Sequence, residues 1–357
     1  MLLYRDSLFR LHHQTHGHPE RPERLEAIDR MLQQAPYADR FHVGECRDAT
    51  GDELARAHSR SYIHRVAATH GVPHTRFDSD TTANEHSYAA ARRAAGSAIA
   101  AVDAILDGPD RRAFVLSRPP GHHAEAAHAA GFCFFNNAAI AAEHALARGL
   151  RRVCILDWDV HHGNGSMHSF YDRPDVLYAS VHEYPHFPGT GRFGDIGHGA
   201  GEGYTISCPL PAGCADADYL HVLRNLVYPV AHEFNPDLVI VSAGYDAHRR
   251  DPLASMKLST AAYGVFAVLD CELADSRAGG RLLYLLEGGY DASALAEGVD
   301  ASLRVLTGSA AAETPGHDTD VEADAEDTAN VDISVQDVAR RLIELYAPYW
   351  PTVEPFS

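Results

Sequence analysis

Four short apolar runs, at residues 113–116, 153–156, 238–241 and 282–286, have strand length, and each leads straight into a polar, glycine-bearing segment. Ala-rich stretches at 87–106 and 137–147 carry scattered Arg and Glu and have high helix propensity. Strand-length runs alternating with helical stretches indicate βα units around a parallel sheet. They predict an α/β chain with a three-layer fold and a mostly parallel central sheet. In open sheets of this kind ligands bind outside the carboxyl ends of the strands. The four polar segments are therefore expected to line one cleft.

A chain of 357 residues is long for one domain, although α/β enzymes often use this length as a single unit. Residues 1–308 are expected to form one catalytic domain, 309–333 an acidic loop or linker, and 334–357 a terminal helix and tail packed on that domain. The linker expectation rests on composition: no Lys or Arg falls between Val305 and Ala339, and that stretch is rich in Asp, Glu, Ala and Thr. Its acids contribute to a formal charge of -19, which repels a phosphate backbone and excludes nucleic acid as a direct partner. No run approaches the roughly 18 apolar residues of a membrane span, and the first ten residues lack a basic-then-apolar signal pattern. The six cysteines form no CxxC pair, which suits buried, reduced thiols. A soluble, cytoplasmic protein without a membrane partner is expected; a homo-oligomer is compatible with the sequence.

The chemistry concentrates in the segments after the runs: RPPGHH (118–123), DWDVHHGNG (157–165), SAGYDAH (242–248) and EGGY (287–290). Asp159 and His161 are one residue apart, so in extended backbone both side chains fall on one side and can meet one cation, with Asp246 available to complete the set. Such a triad leaves a coordination position open, which marks catalytic zinc, although Fe(II) or Co(II) suits the same ligands. The bland alternative is that acids and histidines at strand ends cap helices or form surface pairs. His122 and His123 follow a Pro-Pro-Gly turn and suit proton transfer near neutral pH, with Asp157 and Asn164 placed to orient them. Tyr290, after two glycines, can donate to an oxygen on which negative charge develops. Gly131 and Phe132 in GFCFFNN, and Phe187 in FPGTG, put aromatics in glycine-bounded loops suited to a narrow apolar channel.

In this order the segments resemble the histone deacetylase superfamily, which includes bacterial histone-deacetylase-like amidohydrolases, acetylpolyamine amidohydrolases and acetoin-utilisation-type proteins. The resemblance runs from HPERPER (18–24) to about Gly308. It implies an arginase/deacetylase-like fold with zinc on Asp159, His161 and Asp246. It also implies that His123 is the general base for the attacking water, that His122 assists electrostatically, and that Tyr290 polarises the amide carbonyl. Asp157 would orient His122 and Asn164 would orient His123; Asn at the latter place resembles the class II branch. Phe132 and Phe187 resemble channel walls, Asp78 or Asp80 a rim residue that binds substrate backbone, and Arg24 an arginine that guides acetate out. A structural potassium ion is implied near Asp157, Ser180 and Val181 with the carbonyls of Asp159 and His161, and a second near Phe170, Arg173, Val176 and Tyr204. Leu253 follows Asp251-Pro252 where the polyamine-selective branch carries a glutamate gatekeeper.

The resemblance therefore implies zinc-dependent hydrolysis of acetyl-lysine in a peptide or protein, or of a similar acetylated amine. Two alternatives stand beside it: acetylpolyamine hydrolysis, and from another class, a non-catalytic acyl-lysine binding protein.

Overall fold

The computed structural model of the protein describes residues 1–309 and 333–353. Its centre is one eight-stranded sheet. In chain order the strands are β1 (Leu2–Tyr4), β2 (His42–Val43), β5 (Arg112–Val115), β6 (Val153–Asp157), β7 (Val176–Glu183), β8 (Thr205–Leu210), β9 (Leu238–Ala243) and β10 (Leu282–Leu286). A separate antiparallel pair joins β3 (Thr75–Arg76) to the buried β4 (Thr82–Ala83). The order across the sheet is β2-β1-β5-β10-β9-β6-β7-β8, and every neighbouring pair in it is parallel.

The four runs found in the sequence are β5, β10, β9 and β6, the four consecutive strands at the centre of this sheet. Strands covered on both faces read as unbroken apolar runs, which is why these stood out. The sequence reading missed the other strands, and their residues explain the omission. β8 carries Pro209, which an edge strand tolerates because one side of its backbone needs no ladder partner. β7 is buried throughout, yet its last residues Ser180, His182 and Glu183 are polar.

Successive residues of each strand feed opposite faces. Phe114, Leu156, Val241 and Tyr284 enter one apolar cluster, while Ala113, Val115, Ile155, Ile240 and Leu283 enter the other. The helices Ser87–Asp107 and Asn137–Ala147 cover the second face. Glu23–Leu32, Thr260–Arg277 and Ala292–Leu306 cover the first, completing three layers. Burying one Leu or Ile side chain contributes about 1.5–3 kcal/mol, so the two clusters together dominate the favourable side of folding. The helix Ile333–Tyr346, expected over 334–345, adds Val335, Leu342 and Ile343 to the first cluster. Its Tyr346 hydroxyl donates to the Thr205 carbonyl at 2.8 Å and accepts from Ser207 N at 3.2 Å, shielding the β8 edge. The acidic stretch expected between the domain and this helix lies outside the described residues, save at its ends. The six cysteines are free thiols, five of them buried.

One buried carboxylate makes a testable link between packing and pH. Asp270 accepts hydrogen bonds from the hydroxyls of Tyr228, at 2.7 Å, and Tyr284. Burial outweighs these donors and pushes its pKa up to about 6. Because the folded value lies above the unfolded one, its contribution to stability is full below about pH 4 and is lost as pH rises through 6. The difference is on the order of 3 kcal/mol. Asp270→Asn is therefore expected to gain several degrees in Tm relative to wild type between pH 5 and pH 8. A Tm difference that does not change with pH would contradict this account.

Candidate metal centre and active site

β6 ends on Asp157, which is in register with Ser242 of β9; Ser242 pairs with Leu285 of β10 and Leu285 with Val115 of β5, so the four polar segments leave four adjacent strands at one level. Beyond β6, Asp159 and His161 turn inward together. His161 Nδ1 lies 3.1 Å from Asp159 Oδ1 and 3.1 Å from Asp246 Oδ2. The three residues are buried, and one ligand atom from each lies within 4.8 Å of the others. Val160 N donates to Asp246 Oδ1 at 2.9 Å and Gly288 N to Asp159 Oδ2 at 2.7 Å, which fixes both carboxylates.

The residues fit a divalent cation. Burial opposes charge on His161, yet Asp159 and Asp246 outweigh it and push its pKa up to about 10, so the cluster draws in positive charge. The backbone leaves room around the carboxylates by using glycine. A Cβ at Gly288 would fall 1.9 Å from Asp246 Oδ2, and one at Gly244 would fall 2.1 Å from Asp159 Oδ2. Two carboxylates with one imidazole are a donor set of the catalytic, open-position type.

The segment after β5 brings the histidine pair alongside, with ring centroids 4.0 Å apart. His122 Nδ1 lies 3.1 Å from Asp157 Oδ2, which also accepts from the Tyr178 hydroxyl at 2.9 Å. Burial disfavours its charge, but Asp157 and Asp159 prevail and push its pKa up to about 10. His123 Nδ1 lies 2.8 Å from Asn164 Oδ1. Burial, then its neighbours His122 and His161, hold His123 well below the ordinary histidine value. Adjacent imidazoles are thus driven apart, one toward the charged form and one toward the neutral, the arrangement that separates an electrostatic role from a basic one.

Tyr290 follows β10 and is buried. Its backbone N donates to Asp251 Oδ2 at 2.6 Å, and Arg24 lies 5.0 Å from the centre of its ring. Burial, reinforced by Asp246, pushes its hydroxyl well above the ordinary phenol value, which keeps it a donor. Arg24 also donates to the carbonyls of Glu287 and Gly289, each at 2.6 Å, and so lies against the loop that carries Tyr290.

Both aromatics border this centre. Phe132 meets Tyr290 with ring centroids 5.8 Å apart, and Phe187, 42% exposed, meets His123 at 5.0 Å. Phe132 adopts φ 70°, a conformation costly for a side chain this large. Gly131 (φ 52°) lies so close that a Cβ there would fall 2.2 Å from His123 Cδ2. Farther out, Asp78 spends its carboxylate on its own turn, accepting from Asp80 N at 3.0 Å and Thr81 N at 2.6 Å. Asp80 Oδ1 in turn lies 3.4 Å from Thr81 Oγ1, so both acids considered for the rim are engaged in this turn. Leu253 N donates to Asp251 Oδ1 at 3.0 Å, and Leu253 itself is half-buried. Ser180 Oγ lies 2.9 Å from His182 Nδ1, and Val181 follows it into the core. In the second proposed potassium region, Arg173 stacks over Phe170 at 5.4 Å, and the Tyr204 carbonyl accepts from Tyr178 N at 3.0 Å.

Three acids at the site escaped the sequence reading as functional residues. Glu287 Oε2 accepts from Gly121 N at 2.6 Å and His122 N at 3.2 Å, clasping the histidine turn. Asp251 clasps Tyr290 as described. Glu125 accepts from Asn164 Nδ2 at 2.5 Å. Each lies within five residues of a residue singled out from the sequence, but their loops are irregular, so no spacing rule aims their side chains.

The sheet order, with a buried carboxylate–imidazole–carboxylate cluster at its carboxyl edge, defines an α/β protein of the arginase/deacetylase fold. Over 99% of this chain and 95% of the other, it superposes on the crystal structure of the HDA15 HD domain with a TM-score of 0.90 and 35% identity. Residues 18–306 match the histone deacetylase domain, and the chain belongs to that family. It is 41% identical over 296 residues to histone deacetylase 15 of Arabidopsis thaliana, an alignment covering 82% of this chain and 53% of that protein. The chain thus spans about half the length of that relative. A histone deacetylase-like amidohydrolase of Pseudomonas aeruginosa is 40% identical over 277 residues, 77% of this chain and 73% of that protein. Family membership supports a hydrolase of the deacetylase or amidohydrolase kind. No helix among the described residues is long and apolar enough to cross a membrane.

Proposed function

We propose that the protein is a zinc-dependent deacetylase that hydrolyses the acetyl amide of acetyl-lysine, or of a similar acetylated amine, to acetate and a free amine. The observation that carries this reading is that His123 lies with its ring 6.0 Å from that of His161 and that Tyr290 feels the charges of Asp246 and Asp159, so both converge on the Asp159–His161–Asp246 cluster. A divalent cation held by those three residues supplies Lewis-acid polarisation of the amide carbonyl and acidification of water. His123, held neutral, takes the proton of the attacking water on Nε2 and passes it to the departing amine. The Tyr290 hydroxyl donates to the carbonyl oxygen as it becomes negative, an interaction worth more in the transition state than in the bound amide. His122, paired with Asp157, stays charged and stabilises the same negative charge.

Phe132 and Phe187 flank the alkyl chain that carries the acetyl group, and Asp157, Ser180 and Val181 would hold a structural potassium ion behind the centre. Fe(II) or Co(II) would suit the same ligands. The free cysteines agree with a reducing, cytoplasmic setting.

The acidic excess favours a second substrate class, small acetylated cations such as acetylpolyamines. Parallel kcat/KM measurements on an acetyl-lysine peptide and acetylputrescine separate the two. We expect the peptide to be preferred, because Leu253 offers no carboxylate to a polyamine. A strong preference for acetylputrescine would reverse the assignment. Tyr290→Phe is expected to lower kcat by about 10²–10³. A wild-type rate in that variant would remove Tyr290 from the mechanism, and binding of acetyl-lysine without turnover by the metal-loaded protein would favour a binding role.

A further inference from the structure

Asn164 carries an ambiguity that an aspartate in its place would not. An aspartate offers an acceptor oxygen to His123 whichever way it turns, whereas an amide offers oxygen on one side and NH₂ on the other. If Nδ2 faced His123, the histidine would have to accept on Nδ1 and carry its proton on Nε2, the atom needed as a base. Something must decide which way the amide points.

Glu125 occupies the place from which that decision can be made. Its Oε1 lies 2.5 Å from Asn164 Nδ2, on the side of the amide away from His123. A carboxylate only accepts, so it demands the NH₂ side and leaves Oδ1 for His123 Nδ1. Its own position is set from several directions. Glu125 N donates to the His128 carbonyl at 2.9 Å, its carbonyl lies 2.9 Å from His58 Nδ1, and its Oε1 lies 2.7 Å from His168 Nδ1.

We propose that Glu125 is a positioning residue that fixes the orientation of the Asn164 amide, and through it the tautomer in which His123 keeps Nε2 unprotonated. The kinetic consequence rests on His123 acting as the general base; the tautomer itself does not. In effect, Asn164 and Glu125 together perform what an aspartate at 164 would do alone.

The test uses Glu125→Met, which keeps bulk but removes the acceptor, and Glu125→Gln, whose amide oxygen can sit where Oε1 does. Each is made in the wild-type and Asn164→Asp backgrounds. Imidazole ¹⁵N NMR, with the His123 resonances assigned through His123→Gln, reads the tautomer directly. Wild type is expected to carry its proton on Nδ1, Glu125→Met to show a mixture or the Nε2–H form, and Glu125→Gln to recover the wild-type spectrum. In turnover, Glu125→Met should lower kcat by about 10–100-fold with little change in KM, the range usual for residues that orient a reacting group from behind. Glu125→Gln should recover most of that loss. In the Asn164→Asp background Glu125→Met should cost nothing or raise kcat, because it removes a like charge from the new aspartate.

An unchanged tautomer in Glu125→Met overturns the proposal. Equal kcat losses in both backgrounds also overturn it, since they indicate a merely structural role. Glu125→Ala repeats the test should the methionine variant fail to fold. A wild-type protein inactive on both substrates would refute the proposed deacetylase function, while the NMR measurement would still decide the orientation.

Discussion

Gly288→Ala is expected to leave the protein folded but unable to retain a metal ion, with turnover reduced by 100-fold or more, beyond the roughly 10–100-fold typical of changes just outside a metal's ligands. The expectation follows from distance. The added methyl group would lie 1.9 Å from Asp246 Oδ2 and 2.5 Å from Asp159 Oδ2, so two of the three ligands would have to move. Neither can move freely, because backbone N–H groups of Val160 and Gly288 itself hold them. Neighbouring Glu287 and Gly289 are tied by Arg24, which limits how far the loop can retreat. Metal content after dialysis, with circular dichroism as a check on folding, reads the result. A variant that keeps one ion per chain would show that the loop gives way and that the close approach is not a constraint.

His123→Ala is expected to separate metal binding from proton transfer. The side chain contributes no ligand to the cluster, so the metal should remain, while kcat should fall by about 10²–10⁴, the range for loss of a general base. Retained metal with a lost rate is the informative combination. If the rate stayed within a few-fold of wild type, His122 or solvent would have to take the proton, and the neutral state of His123 would lose its mechanistic meaning.

How much of this was legible in the sequence depended on whether a signal was local. β5, β6, β9 and β10 could be read because both faces of a central parallel strand are covered and the run becomes uniformly apolar. β1 has three residues, β2 two, and β8 carries a proline, so none of them rises above its surroundings. The same contrast holds at the site. Asp159 and His161 were readable from their spacing of two, although the segment bends where extended backbone was expected, and His161 N donates to Asp159 Oδ1 at 3.0 Å. Asp246 and Tyr290 sit shortly after β9 and β10, and His123 beyond the turn that follows β5, so the parallel sheet gathers all three at one end. Glu125, Asp251 and Glu287 act on backbone groups or side chains that the fold brings from distant segments, and only coordinates reveal which of many acids faces them.

The central claim is that the Asp159–His161–Asp246 cluster holds one metal ion that this chain uses to hydrolyse acetyl amides. The most direct test is to strip the protein with a chelator, return zinc in measured fractions, and follow acetate released from an acetyl-lysine peptide. The account predicts that the rate rises in proportion to bound zinc and saturates at one ion per chain. Full turnover by the stripped protein, or a rate that saturates only at two ions per chain, would contradict it.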